Sequence, residues 1–403
     1  HLAYNARDLA IVRAKQRSAV VVLGSATPGI QTYFNTKSRD FKLLELTQRV
    51  AGRDLPRVNI IDMKNEGGSG SSAPIFSRPL INAIRQTLEA GNQTLLFLNR
   101  RGFHTFLYCL DCGYIFKCLN CSVSMTHHAS DGSLRCHYCN FSVKAPPVCP
   151  SCGGTRIHRY GMGTERVEQE IATLFPGARV QRMDSDSTAH KGAYEKILTS
   201  LDRGEIDILV GTQMITKGHD FPGVTLVGVV SADTSLNIPD FRAAEKTFQI
   251  LTQVSGRGGR GDSPGRVIVQ TFSPDNYAIR QAREHSYVDF YHEEIKTRLD
   301  LGYPPFSRMI NLVISATNET RITDCVKKLN TLARDLARQV GGTVSVLGPA
   351  EAPLSKVKGR HRWHLLLKGN DIHALHTLAD TILATASEPG LRIRADVDPV
   401  NFM

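Results

Sequence analysis

Residues 94–121 read TLLFLNRRGFHTFLYCLDCGYIFKCLNC. Thr94–Leu98 is a continuous apolar run, the pattern of a strand buried on both faces of a parallel sheet. It ends in Asn99-Arg100-Arg101-Gly102, and the first of four C-x-x-C pairs follows closely. A central strand running into a cysteine-rich block predicts an α/β domain that carries a metal-binding insertion.

The pairs are Cys109/Cys112, Cys118/Cys121, Cys136/Cys139 and Cys149/Cys152, eight of the nine cysteines in the chain. Two intervening residues let both thiolates of a pair reach one tetrahedral ion from a tight turn. Glycines follow Cys112 and Cys152, where such turns call for a residue tolerant of positive φ. Disulfide frameworks belong to small secreted domains, and a redox C-x-x-C normally occurs once. Neither fits four pairs in a chain of 403 residues. Two structural zinc sites of four cysteines each are expected. The inner pairs lie 14 residues apart, near the usual ribbon gap of about 15–20. The five residues between Cys112 and Cys118 leave little room for adjacent pairing. The preferred arrangement is nested, with Cys109, Cys112, Cys149 and Cys152 around Cys118, Cys121, Cys136 and Cys139. His104, His127, His128 and His137 could substitute as ligands, but four complete pairs leave them no vacancy. Tyr108, Tyr114, Phe116 and Tyr138 could stack on bases, but small zinc ribbons commonly use such aromatics as their only core, and the core role is preferred. Cys325, alone on an expected helix, reads as a buried hydrophobe.

Outward from the cysteines, strands alternate with helices. Ser18–Leu23 is a second continuous apolar run and reads as a buried parallel strand leading into Gly24-Ser25-Ala26-Thr27-Pro28. Further strands are expected at Ala178–Met183, Ile206–Val210, Val224–Val230 and Arg266–Thr271. Helices are expected from Thr164 to Phe175, near Tyr194–Asp202 and over Arg242–Val254. Alternating βα units imply a parallel sheet wrapped by helices. The Gly/Ser stretch at 67–72 reads as a linker between two such units. The last hundred residues change rhythm: strands at 309–316, 343–347, 361–367 and 391–397 and helices at 321–339 and 371–386 spell βαββαβ, a ferredoxin-like sandwich.

The chain carries a formal charge of +11 and a pI near 9.3. Two tetrathiolate zinc sites would bring the charge to about +7. The surplus favours a polyanion, with nucleic acid the first candidate. No apolar run approaches the roughly 18 residues of a membrane helix. The chain opens without Met or an apolar leader, so it is expected to begin inside a domain and to act in the cytoplasm.

The phosphate chemistry is spread over short blocks. Gln253-Val254-Ser255-Gly256-Arg257-Gly258-Gly259-Arg260 closes a helix, and its guanidinium forks suit phosphoryl oxygens. Thr212 and Gln213 follow a strand, where backbone amides and a hydroxyl can hold a nucleic-acid phosphate; Lys217-Gly218-His219-Asp220-Phe221 comes next. Arg100 and Arg101 could grip phosphate or be solvated. Lys356, Lys358, Arg360 and Arg362 crowd Trp363, the only tryptophan. That combination suits single-stranded DNA, or else a core tryptophan with basic neighbours.

The order G-S-A-T-P, L-L-F-L-N-R-R-G, L-V-G-T-Q-M-I-T-K-G-H-D-F, Q-V-S-G-R-G-G-R resembles the later motifs of superfamily 2 helicases. With four C-x-x-C pairs after the N-R-R-G strand, it resembles the primosomal protein N-prime (PriA) family of replication-restart helicases. Gly302-Tyr303-Pro304-Pro305-Phe306, Gly359–His364 and Asp396-Val397-Asp398-Pro399 fit the same family. The resemblance implies a bacterial ATP-driven 3′→5′ DNA helicase, with Mg²⁺ and two zinc ions, that acts on forked, single-stranded and duplex DNA. It implies single-strand-binding protein and primosome proteins as partners. It casts Ser25, Ala26 and Thr27 as the segment coupling nucleotide state to DNA, and Arg100, Thr212 and Gln213 as DNA contacts. Gln253, Arg257 and Arg260 would face ATP, with Gly218 and Asp220 beside it and Arg257 or Arg260 as the arginine finger. Lys356, Lys358, Arg362 and Trp363 would touch DNA, and Arg360 and His364 would line a pocket for an acidic partner tail. A monomer is expected.

The implied architecture is the end of a first helicase lobe (1–66), a linker (67–74), a RecA-like second lobe (75–285) with a zinc insertion (107–155), and a ferredoxin-like α+β domain (286–403). The sequence lacks both G-x-x-x-x-G-K-[ST] and any Asp-Glu dipeptide, so the phosphate loop and Mg²⁺ box are expected upstream and this stretch alone should not hydrolyse ATP. Two other readings remain: a different superfamily 2 translocase or RNA helicase, or a nonmotor zinc-ribbon adaptor.

Overall fold

In the computed structural model the apolar runs become strands of one parallel sheet, and the described residues are 5–38, 41–48, 55–66, 74–99, 106–128, 131–160, 163–190, 192–216, 221–257, 265–385 and 390–402. In chain order the first part comprises α1 (Ala6–Arg17), α2 (Ile30–Lys37), β1 (Arg57–Asp62), α3 (Arg78–Glu89) and β2 (Gln93–Leu98). The cysteine-rich part holds β3 (Phe106–Cys109), β4 (Thr126–His128), β5 (Ser133–Arg135), β6 (Ser142–Lys144) and β7 (Ile157–Tyr160). The sheet domain resumes with α4 (Thr164–Leu174), β8 (Val180–Met183), α5 (Ala193–Asp202), β9 (Ile208–Gly211), a 3₁₀ turn (Gln213–Thr216) and β10 (Val224–Ser231). It continues through α6 (Asp233–Leu236), α7 (Ala243–Ser255), β11 (Arg266–Thr271), α8 (Tyr277–Arg283) and α9 (Tyr287–Asp300). The last part is β12 (Arg308–Ala316), α10 (Glu319–Gln339), β13 (Val344–Val357), β14 (Arg360–Gly369), α11 (Ile372–Thr385) and β15 (Arg392–Val397).

The six-stranded sheet has the order β1-β11-β10-β2-β9-β8, with every pair parallel. The continuous apolar strands follow from burial on both faces. Leu95 and Phe97 of β2 point into one core with Phe248, Leu251 and Val254 of α7. Leu96 and Leu98 point into the other, with Leu80 and Ile84 of α3 and Val167 and Ile171 of α4. Ser77 opens α3 as an N-cap, its hydroxyl accepting from the Leu80 amide, with Pro79 in the first turn. The carboxyl ends of β2, β9 and β10 bring Asn99, Thr212, Gln213 and Ser231 to one rim, the side of a parallel sheet where ligands bind.

The last part is an antiparallel sheet of order β13-β14-β12-β15, with α10 and α11 packed against one face. This is the ferredoxin-like sandwich expected from βαββαβ. Cys325 sits in its core, 5% exposed.

Three expectations change. Ser18–Leu23 forms no strand, and Val20 and Val22 are 89% and 84% exposed. A buried strand needs hydrogen-bonded neighbours on both edges, and none of the described strands pairs with it. The boundary at residue 66 also moves, because β1 adds to the edge of the second-lobe sheet in register with β11, Arg57 opposite Arg266 through Asp62 opposite Thr271. At the other end, α9 packs Phe290 and Tyr291 into the second-lobe core. It belongs there, and the α+β domain starts beyond it. The Gly/Ser stretch at 67–72 lies outside the described residues.

Candidate metal centres and motor site

Four copies of one turn build the cysteine-rich module. In each, the first cysteine's carbonyl accepts from the amide four residues on: Gly113 to Cys109 (2.8 Å), Ser122 to Cys118 (2.8 Å), Asn140 to Cys136 (3.0 Å) and Gly153 to Cys149 (2.9 Å). The first cysteine's amide donates to the carbonyl five residues on, at Tyr114, Val123, Phe141 and Gly154. The residue after each second cysteine is left-handed: Gly113, Ser122, Asn140 and Gly153 have φ of 75°, 54°, 63° and 71°. Glycine or a short polar residue tolerates that conformation.

The sulfurs gather in two groups, Cys109, Cys112, Cys149 and Cys152, and Cys118, Cys121, Cys136 and Cys139, each with all four Sγ atoms within 4.8 Å of one another. This is the nested pairing. Around a tetrahedral ion with Zn–S bonds of about 2.3 Å, sulfurs stand about 3.8 Å apart. Here Cys109–Cys152 and Cys112–Cys149 are 3.7 Å apart and Cys118–Cys139 is 3.6 Å. Amides of Tyr138, Ser151 and Gly154 donate to the sulfurs of Cys136, Cys149 and Cys152 at 3.4 Å, which favours thiolate. The donor set fits a tetrahedral, thiophilic ion with no open position. Among the described residues no histidine joins either group.

The inner group is embedded. Cys118, Cys121 and Cys136 pack with Phe116, Tyr138, Tyr303, Met309, Leu366 and Phe402. The Tyr303 hydroxyl donates to the Cys121 carbonyl at 3.0 Å, and its ring stacks on Phe241 at 4.5 Å. The Phe241 amide donates to the Tyr138 hydroxyl at 3.2 Å. The inner turn thereby joins the loop before α7 to the α+β sheet. Tyr108, Phe116 and Tyr138 are buried, as a module core should be, whereas Tyr114 is 36% exposed and stays outside it; burial holds the Tyr138 phenol well above its ordinary pKa.

Of the residues expected to serve nucleotide or DNA, several of the described ones lie around α7. Glu245, Gln249 and Gln253 recur at four-residue spacing along α7, each about 40° further round the helix, and Arg257 follows two residues past its end at Ser255. Gln253 is exposed and Arg257 half-buried. The helix packs on the 213–216 turn. Gln213 donates to the Asn99 side chain at 3.3 Å, and Asn99 to the Ser235 hydroxyl at 2.6 Å, tying three strand ends together. Thr212 is half-buried, and its amide donates to Met183 across the rim. Ser25 and Ala26 are exposed, the Ser25 hydroxyl accepting from the Thr27 amide at 3.1 Å, and Thr27 is 8% exposed. Arg100, Gly218, Asp220 and Arg260 lie outside the described residues.

Asp233, just past β10, was not singled out from sequence. It is 1% exposed and accepts from the Phe272 amide at 3.0 Å and the Thr271 hydroxyl at 3.2 Å. Burial pushes its carboxyl up to about 6 against those hydrogen bonds. Glu245, Gln249 and Arg298 were also missed, although the polar stripe on α7 was legible as a spacing.

In the α+β domain Lys356 and Lys358 are exposed, and Lys358 and Gly359 (φ 49° and 75°) form the two-residue turn between β13 and β14. Arg360 is committed to the carbonyls of Ser315 (2.9 Å) and Gly390 (3.0 Å). Arg362 is half-buried, its pKa lowered by burial and then by Arg394. Trp363 packs against the domain core. His364 corrects an expectation: at 1% exposure it lines no pocket. Its Nε2 meets the His137 carbonyl, and burial holds its pKa down to about 4. It is a strut between sheet and zinc module.

Comparison with known proteins converges on the same parts. Family models described as "Primosomal protein N C-terminal domain", "PriA DNA helicase Cys-rich region (CRR) domain" and "Helicase conserved C-terminal domain" match residues 300–400, 118–144 and 154–262. The chain belongs to the PriA family. It is 43% identical over 404 residues to the replication restart protein PriA of Bacillus subtilis, covering 99% of this chain and 50% of that protein. It is 42% identical to the PriA of Synechocystis, covering 91% and 44%. The chain thus spans about half the length of these relatives and corresponds to their C-terminal half. Among solved structures, yeast Dbp5 bound to RNA is similar at 12% identity and a TM-score of 0.37, over 74% of this chain and 60% of that one.

Proposed function

We propose that this chain is the C-terminal half of an ATP-driven 3′→5′ DNA helicase that restarts stalled replication forks. The observation carrying the reading is α7, which grips the 24–30 segment through Glu245 and Gln249 and runs on through Gln253 toward Arg257. In that reading the missing first lobe binds ATP and Mg²⁺, and ATP supplies the γ-phosphate charge that rewards closure. Arg257, with Arg260, neutralises charge developing on the phosphoryl oxygens. Gly218 and Asp220 stand beside the nucleotide. Thr212, Gln213 and Arg100 hold the DNA backbone, so a change at the nucleotide shifts one DNA grip relative to the other. Lys356, Lys358, Arg362 and Trp363 extend the DNA surface, and Arg360 serves an acidic tail of single-strand-binding protein within the primosome.

The two four-cysteine groups are assigned structural zinc, which closed tetrathiolate sites hold without catalysis. Among the described residues no helix is long and apolar enough to cross a membrane. The reading places the protein as a monomer on DNA in the bacterial cytoplasm.

Arg257→Ala in the whole protein tests the reading. DNA-stimulated ATP turnover should fall about 10³-fold while binding to a 3′-tailed fork persists. Unchanged turnover removes Arg257 from the role. The isolated 403-residue chain should show no Mg²⁺-dependent hydrolysis, because it contains no phosphate loop.

A further inference from the structure

Segment 24–30 is held mainly by its backbone, and the holding groups come from two helices. The Glu245 carboxylate accepts from the Ile30 amide at 2.9 Å, at the start of α2. Gln249, one turn along α7, donates to the Thr27 carbonyl at 3.3 Å. From α9, the Tyr287 hydroxyl donates to the Pro28 carbonyl at 2.8 Å. Behind Glu245 lies a buried charge chain. Arg298 donates to Glu245 at 2.6 Å and to Glu294 at 2.7 Å, and Tyr277 donates to Glu294 at 2.6 Å. The third donor of Arg298 reaches the Pro304 carbonyl at 3.1 Å, in the turn leading to β12.

Glu245, Glu294 and Arg298 are 8%, 2% and 3% exposed. Two carboxylates against one guanidinium leave a net negative charge. The amide end of α2 and the Tyr277 hydroxyl offset it by donating to the acids. Buried ionic groups of this kind contribute more to fixing one geometry than to raw stability. The geometry fixed here is the register of segment 24–30 on α7. Glu245 and Gln249 hold the segment, and α7 runs on from them through Gln253 to its end at Ser255, two residues before Arg257.

We propose that Glu245, Gln249, Tyr287 and Arg298 are positioning residues that clamp segment 24–30 to α7, the helix that leads directly into Arg257, so that movement at Arg257 and movement of the segment are one event. The clamp acts on main-chain carbonyls and an amide, so it transmits displacement whatever side chains the segment carries. Through Pro304 it also ties that event to the turn entering the α+β domain. The proposal rests on the helicase reading above.

The test uses the whole protein with Gln249→Ala, Tyr287→Phe and the double substitution, none of which strands a buried charge. Thr331→Ala, on the exposed side of α10 in the α+β domain, serves as control. Binding of adenylyl imidodiphosphate and KM for ATP should stay within about twofold in the double variant. The kcat for DNA-stimulated hydrolysis should fall, and base pairs unwound per ATP should fall about ten- to thirtyfold, more than the product of the single effects. A melting temperature equal to that of the parent shows that folding is intact. Equal unwinding per ATP in parent and double variant overturns the clamp. Loss of nucleotide affinity in step with kcat also overturns it, because the residues would then serve binding. An unmutated protein without DNA-stimulated hydrolysis removes the helicase reading itself, a result distinguishable from failure of the clamp alone.

Discussion

The two four-cysteine groups are made from the same turn and set in opposite surroundings. In the outer group Cys152 is exposed and Asp111 lies above the sulfurs, paired with Arg156 at 2.5 Å. Its seat on the sheet domain is a small patch of Met63, Phe106, Tyr108, Leu110 and Phe272. In the inner group three of four cysteines are within 4% of full burial, and the surrounding side chains come from the module, the loop before α7, the 301–306 turn and the α+β sheet. The difference teaches that C-x-x-C spacing specifies the turn and the ion, while the neighbours decide what the ion supports. The outer group closes a local hairpin, and the inner group is the floor on which two domains meet.

Removing one ligand from each group should break that symmetry most visibly. Cys136→Ser and Cys152→Ser should each lower zinc content from two ions per chain to one, the number set by the two groups. The inner variant should lose stability on the order of 5 kcal/mol or more, since structural zinc binding is folding free energy. It should also expose the 300–308 turn to limited proteolysis. The outer variant should fray only near residues 106–160. Equal destabilisation in urea unfolding would show that the contrast in burial has no energetic counterpart.

Two glycines of the outer group sharpen the point. Gly113 and Gly153 occupy equivalent turn positions with φ of 75° and 71°. A Cβ at Gly113 would stand 2.6 Å from the Phe272 carbonyl oxygen, whereas one at Gly153 would meet nothing within 4 Å. Gly153→Ala should cost only the left-handed conformation, about 1 kcal/mol. Gly113→Ala adds a backbone collision at the docking patch and should cost about 3 kcal/mol or more. Urea midpoints of the two variants, measured with zinc present, give the comparison directly.

These contrasts also mark how far the sequence can be read. The cysteine groups were legible because their chemistry is local: two residues of spacing fix a turn, and nested gaps fix the pairing. The parallel strands were legible from apolar runs that alternate between two cores, as Leu95 and Leu96 do. Ser18–Leu23 shows the opposite case. Its pattern states that it wants burial, but burial depends on strands elsewhere, and here it lies exposed. His364 reads as a surface basic residue beside Arg360 and Arg362. Strand alternation and the zinc module over that face bury it, and no local signal announces a module docking from more than 200 residues away. Glu245 stayed hidden for the same reason, since Ile30 and Arg298 reach it from distant segments, and the local Glu294–Arg298 pair reads in sequence as an ordinary surface i,i+4 pair.

Each module also sits on a buried titratable group, and the two respond to pH in opposite directions. Asp233, against Thr271 and Phe272 beneath the outer module, has its carboxyl pushed up to about 6 by burial. A raised acid contributes stability that is present below its unfolded value near 4 and is lost as pH rises through about 6. His364, beneath the inner module, is held down to about 4 by burial. A depressed imidazole contributes stability that is full above its unfolded value near 6.5 and is lost as pH falls toward 4. Each shift corresponds to on the order of 3 kcal/mol, and over pH 4.5–6 the two largely cancel. Substitution should unmask them. Asp233→Asn should gain on the parent as pH rises from 4.5 to 6 and then hold its advantage. His364→Gln, which keeps a donor for the His137 carbonyl, should gain on the parent as pH falls across the same window. Urea midpoints at half-unit intervals in zinc-containing buffer would reveal both slopes. Parallel profiles for parent and both variants would mean that neither group carries its charge burden in the folded chain, and that the modules differ in packing alone.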